Sequence, residues 1–146
     1  MTHPVIDLEN VSKRYGKGEK AVDALNGLNL QVPAGSLFGL LGPNGAGKTT
    51  TLRILATLLA PSSGRVQVAG LDALADPRGV RERLGYVAQE VALDKILSGR
   101  ELLQLQGDLY HLPRSDRDQR IAELIELLGM ADWIDRRSGT YSGGMR

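Results

Sequence analysis

The segment Gly42-Pro43-Asn44-Gly45-Ala46-Gly47-Lys48-Thr49 constrains this chain more than any other feature, because it fills every fixed position of the pattern G-x-x-x-x-G-K-[ST]. At average residue usage such a match arises by chance in about one chain in a few hundred of this length. A plain glycine-rich turn, which needs neither Lys48 nor Thr49, is therefore the weaker reading. The apolar run Leu37-Phe38-Gly39-Leu40-Leu41 precedes the segment and a helix-like run, Thr50 to Leu59, follows it. Strand, loop and helix in that order are the setting a phosphate-binding loop requires. The continuous apolar character of Leu37–Leu41 predicts a strand buried on both faces of a parallel sheet. Glycines let the backbone turn its N–H groups inward around phosphate oxygens, and the following helix adds the positive end of its dipole. Lys48 is expected to reach the β- and γ-phosphates, and the Thr49 hydroxyl to ligate Mg²⁺. The expected nucleotide-binding set is Gly42, Pro43, Asn44, Gly45, Ala46, Gly47, Lys48, Thr49 and, at the helix start, Thr50.

Around this loop the pattern is strand-rich first and helical second. Val5–Leu8, Leu28–Val32 and Arg65–Val68 read as strands, and Leu84–Ala88 as a further short one ending at Gln89. Gly16–Lys20 and Pro61–Gly64 are breaks. Past residue 95, Ser98-Gly99-Arg100-Glu101 and Ser115-Asp116-Arg117-Asp118 read as helix starts, each with a serine followed three positions later by an acid. Ile121, Leu124, Ile125 and Leu128 then fall on one helical face, Gly129 is the expected helix stop, and Ala131–Arg137 reads as a short helix.

A length of 146 residues suits one ordinary domain. The net charge of +1 gives no general attraction to nucleic acid or an acidic membrane surface. Without cysteine the chain has neither disulfide nor thiol chemistry. Its longest apolar runs are a handful of residues, against the roughly 20 needed to cross a bilayer. The N-terminus lacks the basic and apolar regions of a signal peptide. The expectation is a soluble chain that depends on another polypeptide for any work at a membrane.

A second constellation closes the sequence: Thr140-Tyr141-Ser142-Gly143-Gly144-Met145-Arg146. Ser-Gly-Gly by itself is a common flexible turn. Here it follows the phosphate loop, a glutamine at a strand end and a helical stretch, with 94 residues (142 − 48) separating Ser142 from Lys48. That order resembles the ATP-binding-cassette (ABC) ATPases across nearly the whole chain. Ala56-Thr57-Leu58-Leu59 and the closing segment are similar to ATPase subunits of the daunorubicin-resistance type of drug exporter.

The resemblance implies an α/β fold: a P-loop NTPase of the ABC type, with a mixed β-sheet core over residues 1–94 and a helical subdomain over 95–146, ending at the signature. It implies ATP and Mg²⁺ as ligands. Tyr15 matches the aromatic that stacks on adenine. Gln89 matches the catalytic glutamine that senses Mg²⁺ and the attacking water, and whose loop meets the membrane partner; Lys48 joins it as a catalytic residue. Ser142, Gly143 and Gly144 match the signature that closes over the γ-phosphate held by an opposite subunit. Met145 departs from the glutamine of many members, a departure shared with the drug-export type.

The implied partners are a second ABC ATPase subunit in a head-to-tail dimer and a separate transmembrane permease, with no nucleic acid. The implied location is the inner face of the cell membrane. Family members follow the signature with a strand ending in Asp-Glu, which carries the general base, and later a histidine. No Asp-Glu dipeptide occurs here, and His3 and His111 both precede the signature. The chain therefore reads as the N-terminal portion of an ABC ATPase, expected to be inactive and poorly stable by itself. The alternatives are a soluble non-transport ABC ATPase and a nucleotide-binding module without hydrolysis. The 94-residue spacing and the lack of heptads argue against the coiled-coil chromosome-maintenance members.

Overall fold

A computed structural model describes residues 4–87 and 94–145. The chain divides into two units, Met1–Tyr86 and Val87–Arg146.

The first unit is built on a long hairpin. Strands β1 (Pro4–Tyr15) and β2 (Val22–Pro33) pair antiparallel from Pro4↔Pro33 to Tyr15↔Val22. Both extend well beyond the four- and five-residue runs that alternation alone marks out. The reason lies in the register: it shifts between Leu8 and Val11, where Asn10 adopts a left-handed φ of 49°. This bulge breaks the two-residue period while keeping Leu8 and Val11 both turned into the core, at 1% and 0% exposure. Strand β3 (Ser63–Val68) joins the other edge of β1, and β4 (Leu71–Asp72) ends a sheet of order β2-β1-β3-β4, antiparallel throughout.

Helix α1 (Lys48–Leu55) packs Ile54 and Leu55 onto the apolar face of that sheet, against Leu8, Val11, Leu25, Val66 and Val68. Short helix α2 (Pro77–Glu82) adds Val80, which is fully buried. Asp76 caps α2 by accepting the Gly79 N–H at 2.9 Å.

Two predicted strands are absent from this sheet. Leu37–Leu41 is irregular backbone, with Leu37 and Leu41 104% and 91% exposed, and no strand pairs with it among the described residues. The described part of Leu84–Ala88, residues 84–87, is likewise unpaired. An apolar run records a preference for burial; a strand also needs a neighbouring ladder to take its N–H and C=O groups. Of the expected mixed sheet, the described residues build the antiparallel part.

Helix α1 is also shorter than the predicted run to Leu59. It stops because Thr57 takes φ 57°, with Thr57 N–H donating to Ile54 O and Leu58 N–H to Arg53 O at 3.0 and 2.9 Å. These two bonds form a Schellman closure around a β-branched residue in the left-handed region.

In the second unit, α3 (Gly99–Leu109) begins at the predicted capping box. Ser98 Oγ accepts the Glu101 N–H at 3.3 Å, and the Glu101 carboxylate accepts from Ser98 N–H at 2.7 Å. Helix α4 (Arg114–Leu127) does not start at Ser115. Pro113 (φ −53°) leads the backbone in, and the Ser115 hydroxyl donates to the Asp116 carboxylate instead of serving as a cap. At its far end α4 stops at Gly129 as expected, with Met130 N–H donating to Ile125 O and Gly129 N–H to Glu126 O. Ile121 is buried, whereas Leu128, predicted on the same face, lies past the last helical turn and is exposed.

The helices touch where Gly107 on α3 leaves room for Arg117 of α4, whose guanidinium bonds Asp108 at 2.6 Å and Asp118 at 2.8 Å. Ala131–Arg137 forms successive turns rather than a helix, held by Trp133 and Ile134 N–H groups donating to Met130 O.

Candidate nucleotide-binding site

Helix α1 begins inside the motif. Gly47, at φ 84°, is its N-cap residue, and Thr51 N–H donates to Gly47 O at 2.8 Å as the first helical bond. The N–H groups of Lys48, Thr49 and Thr50 therefore have no helical acceptor and point out of the helix start, the arrangement that attracts an anion. Thr51 closes the first turn from the inside, 2% exposed, its hydroxyl donating to Gly47 O at 3.0 Å. Gly45 is also left-handed at φ 86°, and Ala46 N–H donates to Pro43 O at 3.2 Å, so Pro43–Ala46 is a closed turn. The Lys48 ammonium folds back across it, donating to Gly42 O at 2.6 Å and to Pro43 O at 2.7 Å.

These residues fit a bound phosphate. The loop holds a cation against two of its own neutral carbonyls. An ionised phosphate oxygen is a stronger acceptor for the same ammonium than a neutral carbonyl, because it adds charge–charge attraction to the hydrogen bond.

The loop is seated by β2. A Cβ on Gly47 would lie 2.6 Å from Ala24 O and 2.5 Å from Leu25 Cδ2. Sequence reasoning missed this support, because a close approach between residues 22 positions apart leaves no local signal. The same strand ties the loop to Tyr15. Val22 pairs with Tyr15 and Leu25 with Lys13, so Ala24 lies two residues from the partner of Tyr15. Strand spacings put the two Cα atoms roughly 8 Å apart. Tyr15 ends β1 and is 41% exposed, and Lys13 Nζ lies 5.5 Å from its ring centroid while donating to Ala60 O.

The second constellation lies in the other unit. Ser142, Gly143 and Gly144 are exposed, and a single turn of 3₁₀ helix runs over Gly143–Met145. The residue before them is deeply fixed: Tyr141 is 5% exposed, and its ring meets Trp133 edge to face with centroids 5.0 Å apart. Gln89, the other expected catalytic residue, lies outside the described residues.

The fold and the loop together are those of a P-loop cassette of the ABC type. The sequence model of that family, described as "ABC transporter", matches residues 25–146, and the chain belongs to this family.

Among characterised relatives, the chain is 48% identical over 138 residues to the daunorubicin resistance ATP-binding protein DrrA2 of Streptomyces coeruleorubidus, covering 94% of this chain and 42% of that protein. It is 45% identical over 139 residues to the doxorubicin resistance ATP-binding protein DrrA of Mycobacterium tuberculosis, covering 95% and 41%. The chain thus spans about two-fifths of the length of these relatives. Among solved structures, the dimeric post-hydrolysis state of the ATP-binding cassette MJ0796 bound to ADP and Pi superposes with a TM-score of 0.80 at 26% identity, over 96% of this chain and 64% of that one.

Proposed function

We propose that this chain is the nucleotide-holding part of an ABC ATPase that couples ATP binding and hydrolysis to transport, in the export direction, through a separate membrane permease. The observation that carries the reading is the Lys48 ammonium drawn onto the loop carbonyls of Gly42 and Pro43, directly ahead of the open amides of α1. Gly42, Pro43, Asn44, Gly45, Ala46 and Gly47 wrap the phosphates of ATP with backbone N–H groups, and Lys48 supplies the positive charge. Thr49 and Thr50 complete the phosphate contacts at the helix start. Mg²⁺, held by Thr49 and Gln89, neutralises phosphate charge when bound. Tyr15 offers its exposed ring to the adenine.

Ser142, Gly143 and Gly144 face the γ-phosphate bound by a second cassette, so that two subunits share two ATP molecules head to tail. The exposed position of this tripeptide supports a contact made across an interface. Relatives named for daunorubicin and doxorubicin resistance support export, and a cytoplasmic position against the permease at the inner face of the membrane follows from it.

The test uses the cassette at the full length of its relatives. Ser142→Arg should leave ATP binding by the monomer intact while abolishing ATP-driven dimerisation and hydrolysis. Dimerisation that persists in this variant contradicts the shared site.

A further inference from the structure

The segment leading into Ser142 is hydrogen-bonded along its length to the segment that opens α3. Ser138 N–H donates to Leu97 O at 2.9 Å, Gly139 N–H to Lys95 O at 3.2 Å, and the buried Ser138 hydroxyl to Asp94 O. Arg100 N–H donates to Ile134 O at 3.1 Å, and the Arg100 guanidinium grips Asp135 with bonds of 2.6 and 3.0 Å. At the centre sits the Tyr141 hydroxyl. It accepts the Gly99 N–H at 3.0 Å and faces the carbonyls of Ile134 and Trp133 at 3.1 and 3.2 Å.

Every element of this arrangement is tight. A Cβ on Gly99 would lie 2.5 Å from the Tyr141 oxygen, and one on Gly139 would lie 2.9 Å from Lys95 O. The Gly99 amide is one of the unpaired donors at the start of α3, so the hydroxyl completes the helix cap where Ser98 cannot. A tyrosine held only for its ring would need no such partners.

From this geometry we infer that Tyr141 is the positioning residue of the Ser142-Gly143-Gly144 signature. Its hydroxyl pins the backbone one residue ahead of Ser142 to the N-terminus of α3. The exposed tripeptide thereby leaves a fixed origin rather than a free chain end. The inference rests on the shared-site reading above and adds to it the residue that sets the aim of the signature. Removing the hydroxyl keeps Ser142 and its chemistry but widens the range of directions from which it meets a partner's nucleotide. Such a loss falls on the assembled, two-subunit step and leaves nucleotide binding by one subunit alone.

The experiment compares Tyr141→Phe with the parent in the full-length cassette. Three quantities are read: MgATP affinity of the monomer, kcat and KM for hydrolysis, and hydrogen exchange at the Gly99 amide. The expected result is faster exchange at Gly99, unchanged monomer affinity and KM, and kcat lowered about tenfold, as expected for an interaction made only in the assembled state. Faster exchange with unchanged kcat would overturn the inference and leave Tyr141 a purely structural residue.

Should Tyr141→Phe fail to fold, Asp135→Ala loosens the same junction from its exposed rim. A kcat that stays at the parent value there, with Gly99 exchange accelerated, overturns the inference equally. Ser142→Arg separates the two claims. If it blocks dimerisation while Tyr141→Phe behaves as the parent, the shared site stands and only the positioning role falls. If it dimerises normally, the shared site itself falls.

Discussion

Gly47 and Leu25 approach so closely that no Cβ fits between them: one built on Gly47 would stand 2.5 Å from Leu25 Cδ2 and 2.6 Å from Ala24 O. This contact locks the turn that opens α1 against the second strand of the sheet. It therefore fixes where the amides of Lys48, Thr49 and Thr50 point.

The consequence is a demanding position. Gly47→Ala must hold φ near 84° and push back both a side chain and a carbonyl. Left-handed strain on a non-glycine residue costs about 1–3 kcal/mol, and the overlap adds to it. Urea denaturation should register a loss of at least about 2 kcal/mol on that scale. An unchanged midpoint would mean that the loop is not held by β2.

Thr57 presents the opposite case. It ends α1 in the left-handed region, where a β-branched residue is strained, and its side chain gains one exposed hydrogen bond from Arg81 at 2.9 Å. Thr57→Gly should therefore stabilise the chain by about 1 kcal/mol, since removing strain of this kind outweighs a solvent-exposed hydrogen bond. A drop in thermal midpoint would show that the Thr57–Arg81 contact matters more than the backbone.

The capping box of α3 makes a pH-dependent prediction. Hydrogen bonds from the Ser98 N–H and then the Ser98 hydroxyl hold the Glu101 carboxyl below its usual range. A carboxylate with a lowered folded-state pKa adds stability that is fully present above its unfolded pKa, near 4.3, and is lost as pH falls through the folded value. Glu101→Gln, whose amide oxygen can still accept from Ser98, should be slightly less stable than the parent at pH 7. The two proteins should converge as pH drops below about 4. A constant difference between them from pH 7 to pH 3 would rule out the ionised form as the stabilising one.

Legibility in the sequence followed the range of the interactions involved. The Ser98–Glu101 box and the Gly129 stop could be read directly, because each closes within a few residues. Thr57 and His111 perform the same helix-ending task as Gly129, at φ 57° and 55°, but carry no glycine to announce it. The turn that opens α1 at Gly47 and Lys48 is legible because the motif that marks it is local. Its seating on Ala24 and Leu25 was not.

The partners of the Tyr141 hydroxyl leave no local signal for the same reason: they are residues 7, 8 and 42 positions away. The apolar run Leu37–Leu41 signals burial but not a ladder: a strand requires a neighbour, and none of the described strands lies beside it.

The central claim, that Gly42–Thr49 holds the phosphates of a nucleotide through Lys48, is tested most directly by titrating MgATP into the chain and into Lys48→Ala by calorimetry. A charge-assisted hydrogen bond contributes about 1.5–3 kcal/mol. Saturable binding by the parent, weakened at least about tenfold in the variant, is the predicted result. Equal affinity in the two proteins, or no binding by the parent, would contradict it.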